Sequence, residues 1–187
     1  MSLLCVRKNP ADRTVEMFSD GICCRDGFII SNNSIKILKL DDDKMFGMVG
    51  ETQFKNFVFS YIKNNFEKTF IDYYAATLDK YELGAKINEF MGKILSKFHE
   101  NAYCTDKDFI PNSHMLIVIE GIIYEFDIYV SGSNCSVINE DIYAIGYGNE
   151  VANVLLKENY SPQKVLDVVS KNYVYVNNNL NLERIYY

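Results

Sequence analysis

Three residues could do chemistry together: Ser2, Asp20 and Lys36. A hydroxyl side chain at the head of a first strand can use the chain's own terminal amine as its base. This requires a lysine that lowers the amine's proton affinity and an acid that holds the lysine. The three residues occur in that order, but each type is common, and alone they read as surface or strand-edge polar groups.

Other combinations carry less. Gly146-Tyr147-Gly148 falls between an apolar strand pattern and a helix pattern, where backbone amides could attract an anion. It lacks the third glycine of a dinucleotide fingerprint and the lysine-serine ending of a Walker loop, so it is not assigned to nucleotide. Cys5, Cys23, Cys24, Cys104 and Cys135 are odd in number and contain no C-x-x-C, which fits reduced thiols acting as small core residues. His99 and His114 have no cysteine or carboxylate at zinc-ligand spacing, and Asp41-Asp42-Asp43 reads as a solvated turn. No metal or cofactor is expected.

The elements that must position Ser2, Asp20 and Lys36 are strands. Residues 2–6 and 14–18 flank the turn cluster 8–13 and predict a hairpin; residues 21–24 and 28–30 flank Asp26-Gly27 and predict another. A third pair, 35–40 and 45–49, surrounds the acidic turn. The period then changes. Phe54, Phe57, Val58, Tyr61 and Ile62 predict a helix from Thr52 to about Lys68, and Leu83, Ile87, Phe90, Met91, Ile94, Leu95 and Phe98 predict a second. Residues 70–80 read as a connection, and 105–108 with 111–113 as a loop. Strands resume at 115–119, 122–130 and 141–145. A helix carrying Val151, Val154, Leu155 and Leu156 follows, and Ser161-Pro162 opens another. Tyr173–Val176 and Leu182–Tyr186, around Asn177-Asn178-Asn179, predict a last pair of strands. Hairpins with segregated helix pairs give an α+β fold in which two sheets pack face to face beneath helices.

Composition bounds the function. The 187 residues, 48% hydrophobic and 24% charged, with three prolines and no tryptophan, fit a single globular domain over 1–187. A net charge of −6 argues against a protein built to grip nucleic acid or an anionic membrane. No run approaches the roughly 20 apolar residues of a membrane span. The first residues lack a signal-peptide pattern, so the fold is expected to begin at Met1.

Against that background the chain resembles proteasome beta-type subunits of the N-terminal-nucleophile hydrolase superfamily. Ser19-Asp20 ends the second strand, Lys36 lies 16 residues after Asp20, and Val49-Gly50-Glu51 precedes the first helix. Two further features are similar to the eukaryotic beta subunit at the fourth ring position. Tyr61-Ile62 follows Glu51 after nine residues, and Tyr160-Ser161-Pro162 follows Gly146-Tyr147-Gly148 after eleven. Tyr147 stands where most beta subunits carry a small residue. The resemblance implies a four-layer αββα sandwich with two mainly antiparallel sheets flanked by helix pairs.

It also implies a non-catalytic place in the beta ring of a 20S core particle. Active subunits expose an N-terminal threonine after a leader is removed, and no Gly-Thr junction occurs here; the position falls on Met1 or Ser2 depending on register. Asp20 and Lys36 would then be a vestigial ion pair. The alternative is an active peptidase or amidase using Ser2 after removal of Met1. The resemblance further implies partners among other alpha and beta subunits in a hetero-oligomeric 28-subunit particle. The setting would be cytoplasm and nucleus, the process protein degradation, ubiquitin-dependent degradation included.

Overall fold

The computed structural model describes residues 2–25, 28–69, 79–101, 111–129 and 132–187. The expected turn at Asp26-Gly27, all but the end of the 70–80 connection, the loop at 105–108 and Cys104 lie outside them.

The first sheet contains β1 (Leu3–Asn9), β2 (Thr14–Ser19), β10 (Ile142–Gly146) and β11 (Asn181–Tyr186), in the order β10-β1-β2-β11. The second holds β5 (Ile37–Lys39), β6 (Lys44–Gly50), β7 (Ser113–Ile119), β8 (Ile122–Tyr129) and β9 (Gly132–Ile138), in sequence order. Every pairing in both is antiparallel. A separate ribbon pairs β3 (Cys23–Arg25) with β4 (Phe28–Ser31).

Strand alternation divides the core into layers. Leu4, Val6, Val15 and Met17 face Met45, Val49, Leu116 and Val118 between the sheets. The opposite parity, Leu3, Cys5, Phe18 and Ala144, packs against α3 (Asn149–Lys157) and α4 (Pro162–Asn172) through Ala152, Leu156, Val165, Leu166 and Val169. On the far side, Phe46, Met48, Met115, Ile117 and Phe126 meet α1 (Thr52–Thr69) and α2 (Lys80–Glu100) through Phe54, Val58, Ile62, Ile87, Phe90, Ile94 and Phe98. This is the expected αββα sandwich. The central strands β6 and β7, covered on both faces, read as nearly continuous apolar runs.

The helices start where local chemistry sets them. Asp79 caps α2, accepting from Tyr81 N and Glu82 N while Glu82 bonds back to the Asp79 amide, a reciprocal capping box. The Ser161 hydroxyl caps α4 ahead of Pro162.

Two expectations at the strand level need correction. Tyr173–Val176 is not a strand; it leaves α4 as a turn, and β11 pairs with β2 rather than with it. Its apolar residues serve packing instead: Val176 joins the layer beneath α3 and α4, and Tyr173 and Tyr175 stack edge-on against Tyr147. Conversely, β9 was not expected. It is the edge strand beside β8, and its sequence GSNCSVI lacks a clear apolar alternation.

Candidate functional site

The ends of β1, β2, β6 and β10 converge at one edge of the sandwich, and Ser2, Asp20 and Lys36 meet there. Antiparallel register sets Leu4 opposite Ser19 and Leu3 opposite Gly146, which leaves Ser2 at the head of β1 between Asp20 and the turn after β10. Asp20 is fully buried. Its Oδ1 accepts from Lys36 Nζ at 2.7 Å and from Leu3 N at 2.8 Å, and its Oδ2 accepts from Ile22 N at 3.0 Å. One carboxylate therefore holds both the lysine and the start of the first strand.

Burial pushes the Lys36 ammonium below its ordinary pKa, and the charge and hydrogen bond of Asp20 offset part of that shift. Lys55, in the first turn of α1, is also buried and donates to Ser34 Oγ at 3.0 Å and to Ile35 O at 2.7 Å. Burial first, and then the neighbouring charge of Lys36, lowers its proton affinity. Ser2, Lys36 and Lys55 line a cavity of about 20 Å³ together with Cys23, Cys24, Ser34, Val49, Gly50 and Thr52. That volume holds about one water molecule.

The Gly146-Tyr147-Gly148 turn is explained by this site rather than by phosphate. Gly146 has φ of +88°, and a Cβ there would lie 2.0 Å from Ser2 O. Only glycine lets the strand end pass so near β1. The next amide, Tyr147 N, donates to Ser2 O at 2.7 Å, so the turn clamps Ser2 from the side opposite Asp20.

The remaining candidates lie apart from this cluster. The carboxylates of Asp41 and Asp43 accept from Lys44 Nζ at 3.2 and 2.8 Å. His114 Nδ1 lies 2.5 Å from Asp127 Oδ1 across the β7 and β8 pair, while His99 sits on α2. Among the described residues no group of three or more histidine, cysteine or acidic side chains is arranged to hold a metal ion. Lys55, Cys23 and Cys24 were missed as site residues. The signal for Lys55 was present, because it is a lysine in the first helical turn beside the apolar stripe Phe54, Val58, Ile62.

No family model matches the chain, and no curated protein matches it in sequence. Solved structures do. Eukaryotic HslV from Trypanosoma brucei is 18% identical with a TM-score of 0.64, the match covering all of both chains. BPH from Thiobacillus denitrificans, solved in complex with epoxomicin, is 15% identical with a TM-score of 0.70, over all of this chain and 98% of that one. The chain has the HslV-type fold.

At these identities the likeness speaks for architecture. It agrees with the expected α+β sandwich and with the proteasome-type, N-terminal-nucleophile hydrolase fold that the motifs resemble. Within the HslV-type fold, Ser2 shares the small cavity with Lys36, and the next residue, Leu3, donates its amide to Asp20.

Proposed function

We propose that the chain is a non-catalytic beta-type subunit of a proteasome-like core particle. It would fill one place in the beta ring and help wall the chamber in which other subunits cut. The observation that carries this reading is the burial of the serine: Ser2 is 6% exposed, beside a cavity with room for about one water. While Met1 is joined to Ser2, the serine also has no free amine to act as its base. Asp20, paired with Lys36, then fixes the start of the first strand through Leu3 N and the segment after β2 through Ile22 N, rather than activating a nucleophile.

Assembly is supported by the ribbon of β3 and β4, where Phe28, Ile29 and Ile30 are 76%, 52% and 55% exposed and Ile35 nearby is 68% exposed. Apolar side chains clustered this way mark a contact surface. The proposal extends to a eukaryotic 28-subunit particle of several different chains, in cytoplasm and nucleus, with this chain at the fourth ring position. The Gly146-Tyr147-Gly148 and Tyr160-Ser161-Pro162 motifs support that position.

The second reading is a serine peptidase or amidase of the same fold, favoured by the Lys36 amine lining the cavity with Ser2. Removal of Met1 would give Ser2 a free amine, which could take the hydroxyl proton as the oxygen attacks a carbonyl. Intact mass together with a peptide epoxyketone probe separates the two. Retention of Met1 and no adduct is the expected result; loss of Met1 with labelling at Ser2 overturns the structural reading. Native mass tests the ring, which a monodisperse monomer would overturn.

A further inference from the structure

The cavity beside Ser2 holds an imbalance of charge. Lys36 and Lys55 are 3% and 7% exposed, and Asp20, the carboxylate of the cluster, is paired with Lys36. Among the described residues, the other titratable side chains lining the space are the adjacent thiols of Cys23 and Cys24. A buried ammonium without a counter-charge is costly, and the two thiols lie beside it in the same cavity. Both thiols act electrostatically on Lys36, and Cys23 also acts on Lys55.

Access then distinguishes the two sulfurs. Cys23 is 8% exposed, with its Sγ 3.2 Å from Thr52 Oγ1. Cys24 is half-buried and lines both the small cavity and an adjoining groove of about 430 Å³, formed with Ile30, Gly50, Glu51, Thr52 and Gln53. A β-bulge between Cys23 and Cys24 breaks the strict alternation of the strand, which lets consecutive residues border one cavity. The other described cysteines are held inert. Cys5 is wholly buried, and burial, reinforced by Asp20, pushes its thiol well above the usual range. Burial pushes Cys135 up to about 12.

We propose that Cys23 and Cys24 form a thiol-exchange site in which Cys24 reacts with small disulfides that enter the groove. The Cys24 thiolate attacks one sulfur of the disulfide, and a new S–S bond forms as the old one breaks. The far sulfur leaves as a thiolate, and the proton that Cys24 shed on ionising goes to solvent. The group left on Cys24 occupies the groove beside Gly50 and Thr52, over the way to Lys36 and Ser2. This site does not depend on whether Ser2 is a nucleophile.

The test uses the full chain with Cys104→Ser as background, 5,5′-dithiobis(2-nitrobenzoate) as the disulfide, and peptide mapping of samples quenched over time. Cys24 is expected to be labelled first, about tenfold or more ahead of Cys5 and Cys135. Lys55→Gln is expected to slow it about threefold or more, and Lys93→Gln, on the exposed face of α2, to leave it unchanged. Labelling of Cys5 or Cys135 as fast as Cys24 overturns the site, and equal rates in the folded Lys55→Gln and Lys93→Gln chains overturn its electrostatic cause. The labelling order in the background chain decides the site without either lysine variant. Because the readout is labelling of a thiol, failure here is distinguishable from failure of the ring assignment.

Discussion

Asp20→Asn tests whether the buried carboxylate organises this edge of the sandwich. Asp20 is fully buried and receives three donors, Lys36 Nζ, Leu3 N and Ile22 N, at 2.7 to 3.0 Å. Asparagine is nearly isosteric but offers a single acceptor oxygen, so its amide NH₂ must confront either Ile22 N or the pair Leu3 N and Lys36 Nζ. The larger effect is the loss of the negative charge beside a lysine that is 3% exposed. Breaking a buried ion pair from one side costs about 3–5 kcal/mol. For a chain of this size each kcal/mol lowers Tm by about 2–4 °C, so a fall of roughly 6–20 °C is expected. Adding Lys36→Met removes the orphaned charge, leaving mainly an unsatisfied backbone amide, about 1–3 kcal/mol. The double variant is therefore expected to be more stable than Asp20→Asn alone. Urea unfolding followed by far-UV circular dichroism at fixed protein concentration measures all four chains of the cycle. A single-variant cost below about 1 kcal/mol, or a double variant equal to the sum of the singles, would refute the reasoning.

Two further outcomes follow from the geometry. Gly146→Ala combines a left-handed φ with a Cβ driven into Ser2 O, so it is expected to cost about 1–3 kcal/mol or more and to loosen the head of β1; an unchanged thermal midpoint would contradict the clamp. Glu16 is buried, which raises its pKa, yet hydrogen bonds from Arg7 at 2.6 Å and from Arg184 hold it below the usual carboxylate range. A folded-state pKa below the unfolded value of about 4.3 means its stabilisation is present above that pH and is lost as pH falls through the folded value. Glu16→Gln is therefore expected to lose stability at pH 7 and to show a shallower acid limb between about pH 5 and 2, read from urea midpoints across that range; parallel limbs would refute the pairing.

The difference between what was readable and what was not follows from where each residue's partner comes from. Leu3 to Val6 and Thr14 to Phe18 state their hairpin locally, in apolar runs around a turn cluster, and α2 states its start in Asp79 and Glu82 three residues apart. Tyr173–Val176 carries the same β-favouring composition, but Tyr147 and the layer under α4 claim its side chains, and packing on the covered face overrides strand propensity. At β9 the reverse holds: α2 covers one face of an edge strand, so its serines and asparagines gain a ladder that their alternation does not announce. The site divides along the same line. Asp20 and Lys36 were visible because their spacing matches a known pattern, whereas Lys55, Cys23 and Cys24 enter only when α1, the β3 bulge and β6 converge on one small cavity. That convergence gives the cavity its surplus positive charge. The lining of this edge therefore comes from Lys55 and the two thiols as well as from Ser2 and Lys36, with Asp20 paired to Lys36 behind them.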